Sequence, residues 1–158
     1  MAKYESGVKL VGYPQANVFA KLADLNNLSS IREKMNDPVA QDRLKGQIPG
    51  DKFEQVKKQL ESMTFDADSA SVNVAPIGNV SIRIVEREPD KCIKFESVNS
   101  PIPFKMWIQI LPTTELTSKM RLTVDASLNM FIKGMVEKPL KEGIEKLADV
   151  LAAIPYND

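Results

Sequence analysis

Between residues 64 and 126, apolar and polar side chains alternate with period two. Val72 and Val74 alternate with Ser71, Asn73 and Ala75, and Val80, Ile82 and Ile84 with Ser81, Arg83 and Val85. Further on, Ile93, Phe95 and Ser97 alternate with Cys92, Lys94 and Glu96. Phe104, Met106, Ile108 and Ile110 alternate with Lys105, Trp107, Gln109 and Leu111, and Met120, Leu122, Val124 and Ala126 with Lys119, Arg121, Thr123 and Asp125. Turn chemistry separates the runs: PIGN at 76–79, EPDK at 88–91, NSPIP at 99–103 and a proline-led stretch at 112–115. The pattern predicts a meander of antiparallel hairpins with one apolar face, and that face must be buried against another layer.

The covering layer is predicted at the C-terminal end. Over residues 129–154, Ile132, Val136, Leu140, Ile144, Leu147 and Leu151 form a stripe at spacings of three and four. About 25 helical residues extend for nearly 40 Å, enough to cross a sheet. Pro139 lies inside this helix and predicts a kink or short break, with Gly134 and Gly143 as weak points. The first turn, bearing Phe131 and Met135, is expected to move separately.

Before the meander, residues 3–11 read as one strand, with Ser6, Val8 and Leu10 on one face and Glu5, Gly7 and Lys9 on the other. Pro14 opens a short helix carrying Val18, Phe19 and Leu22, and Asp24 caps a second one with Leu25, Leu28, Ile31 and Met35. Periodicity fades over residues 36–49, which read as a loop or insertion. Asp51 and Glu54 then have capping-box spacing before a helix striped by Phe53, Val56, Leu60 and Met63. That helix is expected over an opening or edge of the main body.

Composition narrows the chemistry more than it suggests any. The 158 residues are 43% hydrophobic and 27% charged, which fits one globular domain, residues 1–158, with 36–62 as an insertion bearing a short helix. Lysine plus arginine and aspartate plus glutamate both number 21, so the net charge is zero and nucleic acid is not an expected partner. A lone cysteine, Cys92, forbids an intrachain disulfide, and no leader-like or membrane-spanning apolar run is visible, so a cytoplasmic location without stable membrane insertion is expected. The chain has no histidine, which removes Ser-His-Asp, Cys-His and His-based zinc sites.

The order strand, two short helices, meander and long helix resembles the helix-grip fold of the START-like, or SRPBCC, superfamily, which includes the Bet v 1-like and polyketide cyclase-like families. The resemblance covers nearly the whole chain. Its carriers are FDADSASVNVAPIGNVSIRIVEREPDKCIKF, PIPFKMWIQILP and KPLKEGIEKLADVLAAIPY, and bacterial START-like domains are the nearest in kind. It implies an α+β fold, a curved antiparallel sheet wrapped around a long C-terminal helix, with two short helices after the first strand. In this superfamily the space between sheet and helix often holds apolar ligands, although members include enzymes, lipid carriers and protein-binding modules. Fold therefore leaves function open.

The resemblance and the inward parity together single out Phe65, Ile82, Ile84, Phe95, Phe104, Met106, Ile108, Met120, Leu122, Phe131 and Met135 as an apolar cavity lining for a small molecule or lipid. A packed core without a cavity has the same alternation. Trp107 breaks the polar pattern of its face and is a candidate interface, for a homodimer or a co-chaperone-like partner; a bulge turning it inward is the alternative. A cyclase-type enzyme would need Ser97, Glu86, Arg83 or Tyr4 to converge in one cavity. Asp66 and Asp68 are too few for a metal site, Cys92 has no neighbouring base in sequence, and neither a cofactor nor a metal is expected. The segment 36–62 and the turn of Phe131 and Met135 are the expected gate.

Overall fold

The computed structural model describes residues 2–48, 50–74, 78–98 and 102–156. Its strands are β1 (Ala2–Glu5), β2 (Lys9–Val11), β3 (Met63–Phe65), β4 (Ser69–Val74), β5 (Gly78–Glu88), β6 (Cys92–Val98), β7 (Phe104–Pro112) and β8 (Ser118–Ala126). The helices are α1 (Gln15–Leu22), α2 (Asn26–Asn36), α3 (Pro38–Gln47), α4 (Gly50–Glu61) and α5 (Met130–Ala153). The strands form one curved antiparallel sheet in the order β1-β8-β7-β6-β5-β4-β3, with β2 also on β8. Each meander hairpin joins neighbours in sequence, as short turns require. At the β5–β6 turn Asp90 takes a positive φ of 65°, which aspartate tolerates better than most residues.

One register row shows how alternation builds the inner face. Tyr4 pairs with Val124, Val124 with Met106, Met106 with Phe95, and Phe95 with Ile84. All five side chains are buried. The next row, Glu5, Thr123, Trp107 and Lys94, lies on the outer face. No register shift interrupts β6–β7 or β7–β8, so Trp107 is not turned inward. A bulge does occur in β5 between Ile84 and Glu86; it leaves Val85 without a partner and Glu86 exposed, although simple alternation would point Glu86 inward.

The N-terminal strand departs from its expected form. It is two strands, and between them Ser6 engages Leu122 twice: its N–H donates to the Leu122 carbonyl at 2.9 Å, and its hydroxyl accepts from the Leu122 N–H at 3.0 Å. Pairing runs Glu5 to Thr123 before this point and Lys9 to Met120 after it, a slip of one residue. A slip of one exchanges the faces of a strand. Val8 and Leu10 are consequently exposed, at 56% and 77%, whereas Val11 is buried and Lys9 reaches α5.

Two further expectations are corrected. Residues 38–47 form α3 rather than a loop: Asp37 Oδ1 accepts from the Val39 N–H at 3.0 Å, and Pro38 occupies the first turn, where its missing donor costs nothing. Periodicity could not reveal this helix because it has no clear apolar stripe. The long helix α5 also runs for 24 residues through Pro139, so of the expected kink or short break the break is absent. The turn that loses its hydrogen bond is the one at Met135, which is solvent-facing. Asn129 caps the helix, its side chain accepting from the Ile132 N–H at 2.9 Å.

Candidate functional site

The inner face of the sheet meets α5 in two different ways. Around Ile93, Ile108, Ile110, Met120 and Leu122 the contact is solid, closed by Val18 and Leu22 of α1 and by Ile154 and Tyr156. Tyr156 is fully enclosed, with its hydroxyl donating to the Leu151 carbonyl at 2.6 Å; burial pushes its pKa well up. At the other end of the same strands there is a cavity of about 310 Å³.

Its walls are Val80 and Ile82 of β5, Phe104 and Met106 of β7, Val124 and Ala126 of β8, and Val136, Leu140, Ile144 and Leu147 of α5. Ile102 and Leu128 close one end, and the end of α4, with Gln59, Ser62 and the adjoining Met63, closes another. Small side chains make the space. Ala70 and Ala126 face it from the sheet, and Gly143 faces it from the helix, where an added Cβ would meet no heavy atom within 4 Å. The helix contributes this wall through its three- and four-residue spacing, which keeps Val136, Leu140, Ile144 and Leu147 on one side.

The sequence-predicted lining residues divide into groups. Ile82, Phe104 and Met106 line the cavity. Ile84, Phe95, Ile108, Met120 and Leu122 are buried in the core on the inner face but do not line it, and half-buried Phe65 packs against that core. Met135 requires correction: it is 61% exposed, because its position on α5 falls outside the Val136–Leu140–Ile144 stripe. The side chain of Phe131 lies outside the described residues. Reasoning from residue type favoured large side chains and so missed Ala70, Ala126 and Gly143. Inward parity marked Ala126 and could have flagged it, because a small residue opposite a helix leaves space.

The polar groups considered for catalysis stand apart from the cavity and from one another. Arg83 and Glu86 are exposed on the outer side, and the Ser97 hydroxyl accepts from the Phe104 N–H at 3.0 Å. Tyr4 is buried beside α5, its hydroxyl 3.4 Å from Glu137; burial first, and then the Glu137 charge, raises its pKa. The Cys92 thiol is pushed up by burial, with Glu88 and Glu86 adding to the effect, so the thiol form is favoured. Asp68 pairs with Arg87, and Asp66 accepts from the Ser69 hydroxyl. Among the described residues, no three acidic or cysteine side chains are placed to hold a metal ion.

Trp107 is half-buried on the outer face, with the Lys94 ammonium 5.8 Å from its ring centroid. The lysine covers part of the indole, and a cation so placed is attracted by the ring. Among the described residues, no helix is long and apolar enough to cross a membrane.

No protein-family model matches the sequence, and no curated protein gives a significant sequence match. Solved structures do match its shape. A START superfamily protein from Mycobacterium smegmatis is 11% identical with a TM-score of 0.57, over 95% of this chain and 94% of that one. Norcoclaurine synthase from Thalictrum flavum is 9% identical with a TM-score of 0.60, over 96% of this chain and 92% of that one. The di-domain ARO/CYC BexL is 15% identical with a TM-score of 0.56, over 94% of this chain and 45% of that one. The chain has a START/SRPBCC-like fold, a helix grip in which the curved sheet holds a long C-terminal helix.

Proposed function

We propose that the protein binds an apolar small molecule or lipid in the cavity between the sheet and α5. The observation that carries this reading is the wall itself: about 310 Å³ enclosed chiefly by valine, leucine, isoleucine, methionine and phenylalanine side chains. That volume is at the lower end of ordinary ligand pockets, roughly 300–1,000 Å³. Affinity would come from apolar burial, roughly 25 cal/mol for each Å² removed from water before ordering costs are met. Phe104 and Met106 give the wall polarizable, adjustable groups suited to irregular ligands. The lone cysteine supports a cytoplasmic, reducing setting for this role.

The test uses N-phenyl-1-naphthylamine, a neutral dye that brightens in apolar surroundings. The protein is expected to bind it saturably at one site, and Gly143→Phe, whose side chain enters the open space, to weaken that binding at least tenfold while unfolding normally in urea. Absence of saturable binding by the unmodified protein would overturn the reading. So would undiminished binding by a folded Gly143→Phe.

A further inference from the structure

The cavity is polar on one side only. Its wall from β5, β7 and β8 is apolar throughout, whereas the polar lining residues come from the end of α4, from β4 and from α5: Gln59, Ser62, Ser71, Asn73 and Lys146, with Ser71 and Asn73 in the outer-face register opposite Ser81 and Asn79. These elements adjoin. Met63, which follows α4, pairs with Val72 of β4, and α4 packs on α5. The Ser71 hydroxyl is already committed to Ser81 at 2.7 Å, and Ser62 donates to the Gln59 carbonyl. Among the described residues the Gln59 amide donates to the Met63 sulfur alone, at 3.5 Å, a weak acceptor that a better one would displace.

Lys146 carries the one charge among the described lining residues. Its neighbours on α5 are engaged elsewhere. Glu145 and Asp149 hold Lys9, at 2.7 and 3.0 Å, and Glu137 holds Lys141 at 3.7 Å. Glu142, one turn before Lys146, makes no ion pair with it, and among the described residues none does. Gly143, three residues earlier on the same edge of the helix, leaves the wall open beside it. Lys146 is exposed, and an ammonium with no ion-pair partner among the described residues, on a residue that lines an apolar cavity, is complementary to one kind of molecule.

We infer that the ligand is an amphiphile with a single anionic head, its apolar body buried against β5, β7 and β8 and its head held by Lys146 with the Gln59 amide as a further donor. This rests on the apolar-ligand reading above and narrows it. Neutral apolar compounds would bind by burial alone, and cationic ones would be disfavoured by Lys146.

The experiment compares sodium decanoate, 1-decanol and decylammonium chloride as competitors of N-phenyl-1-naphthylamine. The protein should bind decanoate about fivefold more tightly than 1-decanol, the scale of a partly solvated ion pair. Lys146→Met should remove that preference by weakening decanoate more than 1-decanol, and Lys146→Glu should shift it to decylammonium. Lys138→Met, an exposed lysine outside the lining, should change nothing. The decanoate preference should also shrink as sodium chloride is raised. Equal binding of decanoate and 1-decanol, or an equal loss of both in Lys146→Met, would overturn the anionic-head inference and leave the apolar-ligand reading standing. Failure of all three competitors and the dye to bind would overturn both.

Discussion

The two ends of the inner sheet face are built from the same strands and the same alternation, yet one is a core and the other a container. On β7, Ile108 and Ile110 are sealed within the protein, while Phe104 and Met106 border the cavity; on β8, Met120 and Leu122 are sealed, while Val124 and Ala126 border it. The difference lies in what stands opposite. The sealed end meets branched side chains from α1 and the bulky end of the chain at Ile154 and Tyr156. The open end faces Val136, Leu140, Ile144 and Leu147 of α5 with Gly143 among them, and alanines at 70 and 126 supply no bulk from the sheet. Inward parity tells which side a residue faces; the sizes of the facing residues decide whether water-excluding contact or space results.

The comparison can be broken most directly with two truncations on one strand. Ile108→Ala should cost about 3–4 kcal/mol, because it opens a new void among close-packed neighbours. Met106→Ala, two residues away, should cost only about 1–2 kcal/mol, because its side chain already lacks contact on the cavity side. Urea unfolding of the ligand-free variants measures both. Equal losses would mean that the two ends are packed alike.

Enlargement gives the reverse contrast with a smaller effect. Ala148 of α5 is fully buried and does not line the cavity, so Ala148→Leu should destabilise by about 1–3 kcal/mol through overpacking. Ala126→Leu places the same added carbons into free space and should range from neutral to about 1 kcal/mol stabilising, while weakening binding of N-phenyl-1-naphthylamine. A large penalty for Ala126→Leu would contradict the assigned space.

The residues were unequally informative about all this. The meander was legible because one apolar face enforces period two over five strands, and α5 because its stripe repeats down to Leu151. The slip at Ser6 was not legible: it is fixed by a pair of hydrogen bonds to Leu122, a partner 116 positions away. For the same reason Val8 and Leu10 read as sharing one face with Ser6 along a single strand, although after the slip they lie exposed while Ser6 is buried. Helix α3 was hidden because its start is set locally by Asp37 and Pro38, while it carries no stripe. The cavity was the least legible feature. It is made by small residues at inward positions, and reading for large apolar side chains passes over them. Met135 erred differently: it was counted with the inward-facing residues, when the helix angle places it outside the Val136–Leu140–Ile144 stripe and exposed.

The smallest expected effect concerns how the sealed end is fastened. Lys9 opposes Met120 there and bridges β2 to Glu145 and Asp149 of α5, while the Gly7 N–H also donates to Glu145. The Lys9 hydrogen bond, followed by that of Gly7, holds the Glu145 carboxyl below its ordinary pKa. The hydrogen bonds of Glu145 and then Asp149 raise that of Lys9. A lowered carboxyl stabilises the fold above its unfolded value of about 4.3, and this contribution is lost as pH falls through the folded value. A raised ammonium stabilises below about 10.4, and this is lost as pH rises through its folded value. The clasp therefore contributes fully between about pH 5 and about pH 10. With side chains 21% and 45% exposed, solvent limits it to about 0.5–1 kcal/mol. Glu145→Gln should lower stability by that amount at pH 7 and flatten the acid limb of the stability curve below about pH 5, as followed by urea unfolding at each pH. Dye binding at the other end should be unchanged at pH 7. An acid limb as steep in Glu145→Gln as in the unmodified protein would show that the two ends do not differ in this fastening, and that other carboxylates govern the acid response.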